Sequence, residues 1–139
     1  MALAAAQVVD AIAARLAGTA TTITTKRFHP FTEADLRAWR VVPAGEAMDT
    51  SIDGTIEQHE LGIECHGYVR AIDDVDDALS DMAAAGLTAI HAVQAGNFTV
   101  RTTSIERRFT PDGEAATAEV VLALTSNFAT ATAAPEVLL

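Results

Sequence analysis

The strongest constraint on the fold is a pair of strand patterns joined by a tight turn late in the chain. The patterns cover residues 98–109 and 115–128, and the turn between them reads Thr110-Pro111-Asp112-Gly113, an order that favours a type I turn closed by a left-handed glycine. Each arm would span roughly 40 to 45 Å, which is longer than the ~30 Å diameter of a small domain. The hairpin must therefore bend or project, and a projecting hairpin is suited to a subunit contact.

The sequence also indicates which side of this hairpin is available to a neighbour. In the second arm, Val120, Leu122 and Leu124 alternate with a second, partly apolar set, and the first arm changes phase between Val100 and Ile105. A partly apolar second face predicts an interface in which the hairpin edge adds to a neighbour's sheet. The candidate interface residues are Val121, Ala123, Thr125, Thr99 and Arg101.

The rest of the chain predicts two helices and three further strands. A helix over residues 3–16 has apolar residues at helical spacing and is followed by Gly18, which suits a helix C-terminus. A second helix opens at the acidic run of residues 73–77, whose carboxylates complement the positive end of the helix dipole. Strands are predicted at residues 21–28, at 39–42 before Pro43, and at the alternating run 60–70.

These elements follow the order α-β-β-β-α-β-β. The economical arrangement is an α+β fold, in which a mostly antiparallel sheet of about five strands carries two amphipathic helices on one face. We predict a single domain over residues 1–128 and a flexible C-terminal tail over residues 129–139, which are rich in Ala and Thr.

Residues 44–54 show little periodicity and predict a long loop. Loops of about ten residues are at the upper end of the usual range and often have a function. We predict that this loop contacts a neighbouring subunit or partner; an ordinary mobile loop is the alternative. The candidate contact residues are Glu46, Met48, Asp49, Ile52 and Asp53.

Length and charge limit the classes of partner. The 139 residues suffice for one core but not for two domains. Nine Lys and Arg against nineteen Asp and Glu give a formal net charge of −10. Without a basic cluster, tight binding to duplex DNA or to an anionic membrane surface is disfavoured. We also expect no transmembrane span and no signal peptide.

No catalytic, cofactor or metal motif stands out. His59 and His66 are seven residues apart on a predicted strand and would point to opposite faces, so we expect surface or edge-strand histidines and no zinc site. Cys65 and His66 are adjacent and point apart, which leaves no nucleophile–base pair between neighbours. We therefore predict no enzyme, no cofactor, and no catalytic, cofactor-binding or metal residue.

Several segments together resemble the tail terminator family of long-tailed bacteriophages, the minor tail protein U-like proteins, to which proteins of gene transfer agents are related. The resemblance covers nearly all of residues 4–128 and is one of pattern more than of identity. It is carried by the acidic, Ala-rich first helix, by Arg27-Phe28-His29-Pro30-Phe31, by Arg40-Val41-Val42-Pro43-Ala44-Gly45-Glu46, by the run from Glu60 to Val69, by the acidic start of the second helix and by the closing hairpin.

The resemblance implies an α+β structural subunit, assembled as a hexameric ring on the head-proximal end of the tail tube. Such a ring stops tube polymerisation, contacts the tail tube protein on one face and offers the other to head-completion or connector proteins. In such a ring we expect the loop over residues 44–54 to contact the tail tube or a neighbouring subunit. DNA passes through its lumen without specific binding, and an acidic lumen would repel the DNA backbone. The expected location is the head–tail junction of the virion, after synthesis in the bacterial host cytoplasm, with no membrane contact.

Other functions remain open from the sequence. Another head–tail connector subunit, a head-completion or tail-completion protein, is the nearest alternative. A small ligand-binding α+β module would need a pocket that the sequence does not reveal. A small hydrolase or isomerase would need an acid and a base held together, for which Glu64, His66 and Tyr68 on one strand face are the first candidates.

Overall fold

The computed structural model describes residues 3–28, 30–32, 37–71, 74–92, 97–112 and 115–139. They form two helices and six strands, so the predicted α+β class with a mostly antiparallel sheet is confirmed, with six strands in place of about five. The elements are α1 (Ala4–Arg15), β1 (Thr22–Thr24), β2 (Arg37–Thr50), β3 (Ile56–Ala71), α2 (Val75–Ala92), β4 (Phe98–Asp112), β5 (Ala115–Ala131) and β6 (Ala134–Leu138).

The sheet has the strand order β1-β2-β3-β5-β4, and β6 pairs with the far end of β5. All pairs are antiparallel except β1 and β2, which run parallel over three residues. Beyond that short contact β2 is an edge strand, and β4 is the edge on the opposite side. The two long hairpins, β2–β3 and β4–β5, therefore have their tips at opposite ends of the sheet.

Both helices pack on one face of the sheet. Alternate residues of β3 and β5, such as Ile63, Cys65, Leu122 and Leu124, join the apolar sides of α1 and α2 in a single core. As predicted, α1 ends just before Gly18, which adopts a φ of +87°. At the start of α2, the backbone N–H of Asp77 donates to the Asp74 carboxylate, a capping bond that agrees with the predicted role of the acidic run.

Trp39 fixes the distance between the helix layer and the sheet. Its ring is fully buried, and its Nε1 donates to the Thr19 hydroxyl at 3.0 Å. A Cβ added at Gly67 in β3, or at Gly86 in α2, would lie 2.6 Å from a ring atom of Trp39. The indole is thus held between two glycines, one in each layer, and this contact explains a glycine inside the apolar stripe of α2.

The predicted loop over residues 44–54 is wrong for most of its length. Strand β2 does not end at Pro43 but continues to Thr50, with a register shift between Pro43 and Gly45. A proline is tolerated in a strand at a bulge or on an edge, and this position offers both. Only the short turn between Thr50 and Ile56 joins β2 to β3.

Two other boundaries differ from the prediction. The strand predicted over residues 21–28 is confined to Thr22–Thr24. The predicted tail over residues 129–139 forms the end of β5 and strand β6 instead, whose Leu138 packs against the core. Gly113 of the predicted hairpin turn lies outside the described residues. The last pair between β4 and β5 before it is Asp112 with Ala115.

Candidate functional site

The outer end of the β2–β3 hairpin is acidic and exposed. Five carboxylates lie between positions 46 and 60, and residues 41–69 contain no Lys or Arg. Apolar side chains are exposed among them: Met48 is 63 % exposed and Ile52 fully so. We call the surface formed by Met48, Asp49, Ile52, Asp53, Ile56 and Glu57 the acidic tip.

The sequence-predicted contact residues lie in or beside this tip. Glu46, Met48 and Asp49 are on β2, whereas Ile52 and Asp53 are in the turn. All five are exposed, as a contact surface requires, but they are presented by a hairpin and not by the long loop that was predicted. The hairpin holds them in a fixed register with β3, as in the pair Met48 and His59.

A hydrogen-bond network shapes the turn of the acidic tip. Asp53 Oδ1 accepts from the Ser51 hydroxyl at 2.7 Å, from the Thr55 hydroxyl at 2.8 Å and from the Thr55 backbone N–H at 3.1 Å. These donors, Ser51 first, lower the pKa of Asp53 to about 2 because they favour the ionised carboxylate. Gly54 supplies the positive φ of +74° that the turn needs, and its carbonyl accepts from the Thr132 hydroxyl.

A buried histidine anchors the base of this hairpin. His59 is only 7 % exposed, and its ring stacks on Phe128 with the centroids 4.7 Å apart. Its Nδ1 lies 2.6 Å from the Glu46 carboxylate, and its Nε2 lies 2.9 Å from the Thr130 hydroxyl. The prediction of a surface histidine is wrong here because His59 shares the helix-side face of β3 and joins β2, β3 and β5.

The predicted interface on the second hairpin is divided between exposed and covered residues. Val121, Ala123 and Thr125 lie on β5, which is paired on both sides by β3 and β4, and Val121 is only 5 % exposed. Thr99 and Arg101 are exposed on β4, the edge strand. All five side chains point away from the helices, since their positions alternate with the core residues of each strand.

The other face of β4 carries a surface that the sequence analysis missed. The register of β4 shifts between Thr102 and Ser104. Beyond the shift, three residues pair with core-facing residues of β5 and so point to the helix side: Ile105, Arg107 and Phe109. The helix α2 packs on β3 and β5, and this outer part of β4 stays exposed: Ile105 is 41 % and Phe109 49 % exposed. We call these three residues the basic edge. The phase change noted between Val100 and Ile105 was its signal in the sequence.

The candidate catalytic strand residues do share one face. On the side away from the helices, His66 Nδ1 lies 2.6 Å from Glu119 Oε1 and its Nε2 lies 3.9 Å from Glu64. Tyr68 instead contacts the ring of Phe31. Cys65 lies on the opposite, core face, where burial raises the pKa of its thiol to about 12. His66 is thus hydrogen-bonded to Glu119 on this face, and Cys65 cannot reach the cluster from the core face.

Within the described residues, no group of three or more His, Cys, Asp or Glu side chains is arranged to hold a metal ion. Among the described helices, none combines the length and the apolar character needed to cross a membrane.

Comparison with known proteins adds no family. No protein-family model matches the chain, and a search of curated proteins finds no significant match.

Proposed function

We propose that the chain is a structural virion protein of the tail terminator type, a subunit of a hexameric ring at the head–tail junction of a bacteriophage or a gene transfer agent. The observation that carries the proposal is the pair of long hairpins. Each leaves apolar side chains exposed, Met48 and Ile52 at the outer end of one hairpin and Ile105 and Phe109 on the edge strand of the other. Exposed apolar residues on an edge or a hairpin end are typical of a subunit that is buried in an assembly.

The position of the hairpins supports a ring. Among the described residues, one side of strand β4 pairs with no other strand, and such an edge is a template for contact with another chain. The surfaces on the two hairpins differ in residues and charge, so a contact between them is heterologous, and heterologous contacts close into rings when the rotation permits.

The expected partners follow from the same proposal. One ring face would contact the tail tube protein and the other the head-completion or connector proteins. DNA would pass through the lumen, and the net charge of −10 supports passage without specific binding because carboxylates repel the phosphate backbone. Replacing lumen carboxylates with lysine should slow DNA ejection, and unchanged ejection kinetics would contradict this role.

The direct test is deletion of the coding sequence from the genome that carries it, followed by electron microscopy of the particles. A tail terminator is required to stop tube growth, so the deletion should give overlong tubes and heads without tails, and supplying the chain should restore the normal length. Tails of normal length that fail to join heads would favour the alternative of another head–tail connector subunit. Normal, infectious particles would refute both.

An apolar cavity favours a second candidate, a small ligand-binding module. About 400 Å³ of space lies between the start of α1 and the bulge of β2, lined by residues that include Leu3, Pro43, Ala44 and Leu61. Ligand sites commonly have this size and an apolar lining. A purified chain that stays monomeric and binds a small apolar compound in this cavity would support the module over the ring subunit.

A further inference from the structure

Two exposed surfaces of this chain are complementary in both apolar character and charge. The acidic tip presents Met48 and Ile52 among carboxylates. The basic edge presents Ile105 and Phe109 on either side of Arg107, on one face of β4. Each surface therefore offers aliphatic or aromatic contact area together with one sign of charge.

The charges are separated along the sequence to an unusual degree. Residues 41–69 contain six carboxylates and no Lys or Arg, whereas β4 carries three arginines, at positions 101, 107 and 108, and Arg108 is the last basic residue of the chain. Arg108 lies 3.3 Å from Glu106 on the far side of the strand. Arg107 is thus placed on the helix side, between the two exposed apolar residues.

The two surfaces cannot meet within one chain. Arg107 pairs with Val120, which pairs with Gly67 of β3. Strand β3 begins at the acidic tip with Ile56, eleven residues from Gly67 along the same strand. At about 3.3 Å per residue, the distance between these two positions is roughly 36 Å. Any contact between the tip and the edge must therefore join two copies.

We propose that the acidic tip of one copy docks on the basic edge of the next. In this contact Ile52 and Met48 cover Ile105 and Phe109, while Glu57, which lies on the same helix-side face as Met48, faces Arg107. The contact is heterologous, because each copy offers a tip to one neighbour and an edge to another, and it repeats from copy to copy. This inference rests on the proposed ring and names the surfaces that form its subunit contact.

Charge reversal tests the docking with the full chain. Arg107→Glu places a carboxylate opposite the acidic tip and should weaken association by about tenfold or more, as expected for like charges brought together in an interface. Adding Glu57→Lys to that variant should restore association, because it re-creates an opposite-charge pair on the helix-side face. Arg107 is exposed and Glu57 partly so, so the fold should be retained, which circular dichroism checks. Native mass spectrometry and sedimentation velocity measure the assembly state.

Arg101→Glu is the matched control. It makes the same charge change on the same edge strand but on the face away from the helices, so association should stay within about twofold of the unmodified chain, as for a rim charge outside the contact. Added salt should weaken association of the unmodified chain because exposed charges are screened.

The outcomes separate this contact from the proposed function. Rings that survive Arg107→Glu, or that are lost only with Arg101→Glu, would overturn the contact and leave the ring in place. Open chains that depend on Arg107 and are rescued by Glu57→Lys would support the contact but contradict a closed ring. An unmodified chain that stays monomeric at high concentration would overturn both.

Discussion

The contact of Trp39 with Gly86 gives a prediction whose size follows from the structure. Gly86→Ala would ordinarily stabilise a helix interior by about 1 kcal/mol, because glycine is a poor helix former. Here the new Cβ would lie 2.6 Å from Cζ2 and 3.0 Å from Cη2 of a fully buried indole. Forcing an extra methyl group into a packed core costs about 1 to 3 kcal/mol. A contact of 2.6 Å places the cost in the upper part of this range, at about 2 to 3 kcal/mol, so we expect a net destabilisation of about 1 to 2 kcal/mol.

A double-mutant cycle isolates the steric part of this effect. Trp39→Phe removes the outer ring atoms that the new methyl group would meet, although it also leaves a void and removes the hydrogen bond to Thr19. The combined variant should be more stable than the sum of the single effects by about 1 to 3 kcal/mol, the range for residues in direct contact. Urea unfolding followed by far-ultraviolet circular dichroism measures each free energy of unfolding.

Ala84→Gly serves as the control for helix propensity. Ala84 is exposed on the same helix, so this change should cost about 1 kcal/mol without any steric contribution. A Gly86→Ala variant as stable as the unmodified chain, or single effects that simply add in the combined variant, would show that the indole does not limit the approach of α2 to the sheet.

Three further predictions concern the side chains of His59, Asp53 and Cys65. His59→Leu should lower the free energy of unfolding by about 1 to 3 kcal/mol, because the buried Thr130 hydroxyl and the Glu46 carboxylate lose their partner. Amide hydrogen exchange should then accelerate over residues 46–60, and unchanged exchange would mean that the His59 ring does not anchor the hairpin. The Asp53 carboxylate, whose pKa is lowered to about 2, stabilises the turn fully above the usual aspartate pKa of 3.8, and this stabilisation is lost as the pH falls through 2. Titration of the Asp53 side chain by NMR measures the pKa, and a midpoint near 3.8 would contradict the hydrogen-bond network. Cys65, whose thiol pKa burial raises to about 12, should react with an alkylating reagent only on unfolding, whereas rapid labelling of the folded chain at neutral pH would be inconsistent with its burial.

Elements with a strong local signal could be predicted from the sequence. The apolar spacing of α1 and the glycine after it gave the extent of the helix to within a residue or two. The alternation through Ile63 and Cys65 gave the faces of β3 correctly, so that His59 and His66 do lie on opposite sides. These features depend on periodicity and on residues near one another in the chain.

Features that depend on distant residues could not be predicted in the same way. Pro43 normally ends a strand, but here it sits at a bulge on an edge, and pairing with β3 carries β2 on to Thr50. Strand β6 has little strand character of its own and forms because the end of β5 offers a free edge. His59 looked like a surface residue because its buried partners, Phe128 and Thr130, come about 70 residues later.

The position of Trp39 also makes it an internal reporter. It is the only tryptophan of the chain, and it contacts α2 and the sheet near Gly67, at the opposite end from the acidic tip. Its fluorescence should follow separation of the helix layer from the sheet and should be insensitive to fraying of that tip. Unfolding of the core can thus be timed in the unmodified protein without an added label, separately from local opening of the hairpin end.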